Sequence, residues 1–265
     1  VARAVRQGFL TGEDGAWSLI SARVADIKEY QSAFEQINGP GHRVTFTDIS
    51  DVIAEFIAFE WRADDSPFDQ YLRTGEPLPK AAQLGMSLFY GKAQCSTCHA
   101  GQFQTDHDFH AIALPQVGPG KSARFETHAR DEGRLRVTGN PADAYKFRTP
   151  SLRNIAQTAP YGHNGAYATL EAMIRHHLDP VASLKAYNVA QLVLPDLPNS
   201  QDFRATHDPD EQAAIAAANE LSPSNLSETE IIQIVAFLNA LSDTASLAGK
   251  LGVPQTVPSG LSVDQ

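Results

Sequence analysis

The chain has 265 residues, with 21 Lys and Arg against 31 Asp and Glu, for a formal net charge of −10. With 42% hydrophobic and 20% charged residues it has the composition of a globular protein, which excludes a disordered chain. The acidic balance argues against a nucleic-acid partner and favours steering of a basic protein, and no apolar stretch approaches the roughly 20 residues of a membrane span.

The opening Val1-Ala2-Arg3-Ala4-Val5 has no Met and no apolar leader core. It reads as the interior of a longer protein, or as a chain whose leader has been removed. Apolar residues then recur at three- and four-residue steps through Leu19, Ile20, Ala22, Val24, Ile27, Tyr30, Phe34 and Ile37. This predicts one helical run, stopped by Asn38-Gly39-Pro40. A second helix is expected after Thr47, with Ile49, Val52, Ile53, Phe56 and Ile57 on one face. The polar connector Asp64-Asp65-Ser66-Pro67 and the turn-rich Gly75-Glu76-Pro77-Leu78-Pro79 put a domain boundary near residue 77.

Ala81 to Tyr90 reads as helix, carrying Met86 as a core residue, with Gly91 just beyond. Residues 100–146 are rich in Gly, Pro, Asp and His, and a loop of that length wraps something or carries function. Thr169 is expected to cap a helix that brings Leu170, Met173, Ile174 and His177 to one face and rotates His176 away. Residues 179–225 read as a mostly irregular insertion with one Ala-rich helix around 211–220. Ser227 and Glu230 form a capping box for a last helix lined by Ile231, Ile234, Val235, Leu238 and Leu241. The tail after Lys250 reads as extended. Strand signals are weak throughout, so the fold class is mainly α.

Both cysteines of the chain stand in Cys95-Ser96-Thr97-Cys98-His99, which excludes a disulfide-stapled scaffold. C-x-x-C-H is the attachment signature of c-type haem: two thiols at this spacing form thioethers on one edge of the porphyrin, and the next residue is the proximal iron ligand. A thioredoxin-like site needs a strand before the motif, whereas a helix precedes it here, and zinc wants more Cys/His ligands at finger spacing, with no second Cys pair in the chain. A second axial ligand is expected on the helix after Thr169, where spacing alone leaves Met173 and His177 equal. His163, in the tight turn before that helix, stands out among the remaining histidines.

Several segments resemble the bacterial di-haem cytochrome c peroxidases, including the MauG type. They are Asp65-Ser66-Pro67-Phe68-Asp69-Gln70-Tyr71-Leu72, Gly85-Met86-Ser87-Leu88-Phe89-Tyr90-Gly91-Lys92, Phe109-His110-Ala111-Ile112-Ala113-Leu114-Pro115 and Gly133-Arg134. The most specific runs from Phe147-Arg148-Thr149-Pro150-Ser151-Leu152-Arg153-Asn154-Ile155 on to Thr158-Ala159-Pro160-Tyr161-Gly162-His163-Asn164-Gly165 and Thr169-Leu170-Glu171. The resemblance implies a cytochrome c-like haem domain with long irregular loops over 77–245, with 179–225 as an insertion. Residues 1–76 would be a helical remainder of a partner haem domain, and 246–265 an extended tail.

It further implies an oxidoreductase that uses hydrogen peroxide, for peroxide reduction or for oxidation of a protein substrate. This chain would be its electron-transfer half, with the peroxide-reacting haem c in a region before Val1. The family's sixth-ligand position falls on His177, giving a His99/His177 haem with Met173 as fallback; imidazole in place of a thioether favours the ferric state. Arg148 and Arg153 are candidates for pairing with haem propionates, and the carbonyls of Thr158 and Pro160 for a calcium ion. A small electron-donor protein, a homodimer and a periplasmic location are the other implications. The competing class is a single-haem electron carrier without peroxidase activity.

Overall fold

The computed structural model describes residues 1–118, 128–192 and 202–264. Parts of the expected loop over 100–146 and of the expected insertion over 179–225 lie outside the described residues. The chain divides into two compact units, Val1–Asp64 with Thr244–Gln265, and Asp65–Asp243.

In the first unit, α1 (Ala2–Arg6), α2 (Ala16–Ala25), α3 (Lys28–Asn38) and α4 (Phe46–Glu60) follow one another. The single run expected through Leu19 and Ile37 is two helices. Ile27 takes extended backbone angles (φ −93°, ψ 110°), so the ladder stops and restarts while the apolar spacing continues across the break. Thr45, not Thr47, opens α4: its Oγ1 accepts the Asp48 N–H at 3.2 Å while the Asp48 carboxylate accepts the Thr45 N–H at 2.7 Å.

The second unit holds α5 (Pro67–Thr74), α6 (Lys80–Tyr90), β1 (Phe109–His110), α7 (Leu135–Thr138), β2 (Phe147–Arg148), α8 (Leu170–Leu178), α9 (Pro180–Lys185), α10 (Pro209–Ala218) and α11 (Glu228–Asn239). The only ladder among the described residues is the short antiparallel pair of β1 and β2, with Phe109 opposite Arg148, so the chain is mainly α. The core lies between α6 and α11. It gathers Phe68, Leu78, Ala82, Phe89, Leu152, Leu226, Ile231, Ile234, Phe237 and Leu238, with Met86 packed against it. The two helices approach so closely at Gly85 that a Cβ there would lie 1.8 Å from the Gln233 carbonyl oxygen.

This unit begins at Asp65, ahead of the boundary read near residue 77. Helix α5 is tied into its core: the Phe68 N–H donates to the Ala240 carbonyl at 3.0 Å, and the Phe68 ring meets Phe237 edge-on at 5.2 Å. The Ala-rich helix expected around 211–220 is α10, and the Ser227/Glu230 capping box opens α11 as expected. The chain then re-enters the first unit through α12 (Thr244–Ala248). Its extended tail is held there by the buried Glu60 carboxylate, which accepts the N–H groups of Leu251 at 2.7 Å and Gly252 at 3.1 Å.

Candidate haem site

Helix α6 delivers the Cys95–His99 motif. It ends at Gly91, Gln94 turns the chain through the left-handed region (φ 54°), and Cys95–Thr97 forms one 3-10 turn. The His99 N–H closes the turn on the Cys95 carbonyl at 3.0 Å, and the Asp106 N–H binds the Cys98 carbonyl at 2.7 Å. Both thiols are unpaired. Burial pushes the Cys95 thiol up to about 11. Burial also raises Cys98, helped by the nearby carboxylates of Asp106, Glu220 and Asp108, and opposed by the Thr97 hydroxyl. Both are therefore protonated at neutral pH, which suits neither disulfide exchange nor a zinc thiolate.

His99 is half-buried, and its Nδ1 lies 3.2 Å from the Gln104 carbonyl oxygen, with the Pro150 carbonyl also facing the ring. Burial, and then the charge of His177, push its pKa down to about 4, so the two imidazoles are close enough to feel each other. His177 comes from the last turn of α8, opened as expected by Thr169, whose Oγ1 accepts the Ala172 N–H at 3.2 Å. Its Nδ1 donates to the Met173 carbonyl at 2.8 Å, its sole hydrogen bond among the described residues, which leaves Nε2 unused. A backbone bond at one ring nitrogen is how ligating histidines are commonly oriented. The Met173 side chain, meanwhile, packs against the cluster of Leu114, Tyr161, Ala166 and Tyr167.

His176, expected to rotate away from the apolar face, is fully buried. A polar pocket accommodates it: Nε2 sits 2.7 Å from the Ile112 carbonyl oxygen and Nδ1 2.9 Å from the Tyr167 hydroxyl. Both its nitrogens are engaged, and burial, then the His177 charge, take its pKa down to about 4.

The two arginines differ. Arg153 gives its fork to Asp69, Nη1 and Nη2 each donating at 2.9 Å, while its Nε donates to the Gln102 carbonyl at 2.9 Å. Burial works against the Asp69 charge, but Arg153 and the Ser66 cap outweigh it and lower its pKa. Arg153 thus has a protein carboxylate where a propionate was expected. Arg148 is exposed and donates to Nδ1 of His107. Thr158 and Pro160 are exposed, on either side of the Ala159–Pro160 bond. His163 stacks on Phe147 with ring centroids 3.4 Å apart, at a cavity of about 430 Å³ also lined by Asp131, Gly133 and Arg136.

One cluster was not visible in the sequence. His110 Nε2 lies 2.9 Å from Asp106 and its Nδ1 3.4 Å from Glu220, whose other oxygen holds Lys146 at 2.6 Å. Burial opposes the imidazolium, yet Asp106 and then Glu220 prevail and raise the His110 pKa above its ordinary 6.5. The folded state therefore binds this proton more tightly than the unfolded one, so the stabilisation is full below pH 6.5 and lost as pH rises through the raised value. The expected result is that the thermal midpoint of the parent chain converges on that of His110→Gln between about pH 6 and about pH 9, measured by calorimetry. A constant gap across that range would contradict it.

No protein-family model matches the chain. Cytochrome-c peroxidase IdrP1 of Denitromonas iodatirespirans is 30% identical over 270 residues, covering 93% of this chain and 62% of IdrP1. Methylamine utilization protein MauG of Paracoccus denitrificans is 30% identical over 172 residues, covering 58% of this chain and 44% of MauG. Among solved structures, the diheme peroxidase BthA from Burkholderia thailandensis E264 matches with a TM-score of 0.55 at 19% identity, over 97% of this chain and 66% of BthA, a likeness of fold. The chain spans less than two thirds of the length of both curated relatives. Joined to the C-x-x-C-H loop and the helical core that carries it, these matches make the chain a relative of the bacterial cytochrome c peroxidases and MauG.

Proposed function

We propose that this chain holds one covalent haem c, ligated by His99 and His177, and passes electrons to or from a peroxide-activating centre as part of a peroxidase-type oxidoreductase. The observation that carries this is that two half-buried imidazoles, each with Nδ1 on a backbone carbonyl, lie within electrostatic range of each other, and that one of them directly follows two free thiols in the chain. The donor set fits the group: protonated thiols suit thioether formation, and the Nε2 of His177, left unused by the Met173 bond, suits an axial site. Met173 fits less well, because its side chain is taken up by an apolar cluster.

When bound, haem supplies reversible one-electron chemistry at iron. The chain's own residues orient and insulate it. The Gln104 and Met173 carbonyls fix the two rings, and burial disfavours the protonated imidazole, which could not ligate. Arg148 remains the candidate partner for a propionate. The net charge of −10 fits a basic electron-donor or substrate protein, and covalent haem attachment implies a periplasmic location. No described helix is long and apolar enough to cross a membrane.

Pyridine haemochrome titration and peroxide turnover of the full-length protein test the proposal. Two haems per full-length chain with turnover support the enzyme; one haem without turnover supports an electron carrier. Optical and EPR spectra of His177→Ala test the ligand: the low-spin ferric signal should become high-spin. An unchanged spin state would reject His177.

A further inference from the structure

His176 and Tyr167 form a buried pair that haem ligation leaves unused. The Ile112 carbonyl 2.7 Å from His176 Nε2 can only accept, so Nε2 carries the proton and Nδ1 is a bare acceptor. The Tyr167 hydroxyl, 2.9 Å away, therefore donates to Nδ1, and the Ser183 hydroxyl, also at 2.9 Å, donates to the phenol oxygen. Tyr167 is only 3% exposed. Its ring tilts against His176 with centroids 5.1 Å apart, and His176 meets His177 edge-on at 6.2 Å. A continuous line of rings thus runs from the candidate iron ligand to a phenol with its own base.

A buried phenol is hard to oxidise unless its proton has somewhere to go, because the charged radical cannot be solvated. Three other tyrosines donate to groups that cannot take up a proton: Tyr161 to the Ile155 carbonyl, Tyr187 to the Ala166 carbonyl and Tyr90 to the Gln104 amide oxygen. Tyr145 donates to the Glu211 carboxylate at 3.0 Å, whose other oxygen Arg130 holds at 2.7 Å, and among the described residues its ring, unlike that of Tyr167, packs against neither histidine of α8.

We propose that Tyr167 is a redox-active tyrosine, losing one electron and its phenolic proton together, with His176 Nδ1 as proton acceptor. The inference rests on the haem reading, with hydrogen peroxide as the source of oxidising equivalents. The Tyr167 O–H bond breaks and an N–H bond forms at His176 Nδ1. One electron passes to the peroxide-derived oxidant, which leaves a neutral phenoxyl radical. The Ile112 carbonyl keeps its bond to Nε2–H of the imidazolium, and Ser183 keeps its bond to the phenoxyl oxygen. Re-reduction returns the proton.

Freeze-quench EPR of the haem-loaded full-length protein after one equivalent of hydrogen peroxide tests this. The expected result is a tyrosyl signal that narrows with ring-deuterated tyrosine, is lost in Tyr167→Phe, and survives in Tyr145→Phe. In heavy water, its rise in the unsubstituted protein should slow, because the proton moves with the electron. A signal that persists unchanged in Tyr167→Phe, or one that rises equally fast in heavy water, overturns the proposal. So does the absence of any tyrosyl signal in protein whose haemochrome assay shows full haem, a result that leaves the haem reading standing.

Discussion

Replacing both Cys95 and Cys98 with alanine is expected to abolish covalent haem, so that haem-stained denaturing gels would go from one haem per motif to background. The reason is local. The chain has no other cysteine, and the turn from Gln94 through Thr97 sets these two thiols after α6 with no disulfide between them. Either single replacement leaves one thioether at most. The imidazole cage survives in all three variants, because the bonds of His99 to Gln104 and of His177 to Met173 involve backbone carbonyls that alanine at 95 or 98 does not touch. Haem added to the double variant is therefore expected to bind reversibly, coloured in native buffer and lost on denaturation. That contrast separates attachment from ligation. A double variant that keeps its haem through a denaturing gel would mean that the motif is not the attachment site.

The C-x-x-C-H run could be read as a haem-attachment motif from sequence because its pattern lies in five consecutive residues. The same holds for caps: Ser227 with Glu230 and Thr169 with Ala172 are three-residue relations, and both helices begin where those residues stand. Thr45 with Asp48 is the same device, but the stripe starting at Ile49 drew the expected start inward to Thr47. Ser66 with Asp69 is another, hidden inside what composition marks as a connector. What local pattern could not show is the partner at long range. Arg153 is 84 residues from Asp69. His176 is the clearest case. Helical spacing put His177 on the apolar face and turned His176 from it. Burial of His176 depends instead on the Ile112 carbonyl, 64 residues away, and on Tyr167 in the turn before α8. A periodicity argument sees one face of a helix, whereas a helix wedged between two clusters buries two.

Gly85→Val is expected to destabilise the second unit as much as a large truncation in its core. A Cβ at this position would stand 1.8 Å from the Gln233 carbonyl oxygen, 2.4 Å from its carbon and 3.0 Å from the Ile234 nitrogen. All three are backbone atoms of α11, so no rotamer change relieves the clash and the helices must separate. Separation strips contacts from Phe89 and Phe237, whose rings lie 5.2 Å apart, and from Ile231 and Ile234, each 1% exposed. Overpacking costs about 1–3 kcal/mol where side chains can give, so a backbone clash belongs at or above about 3 kcal/mol. For a unit of this size that lowers the thermal midpoint by roughly 6–12 °C. Gly85→Ala should show most of the effect, since the Cβ alone makes the clash; valine adds two methyls to a gap that no longer exists. Because α6 also delivers Cys95, the same change should lower haem incorporation during maturation, read as haem per protein by absorbance. A Gly85→Ala chain with parental melting temperature and full haem would show that the α6–α11 crossing tolerates separation, and the close approach would then owe nothing to glycine.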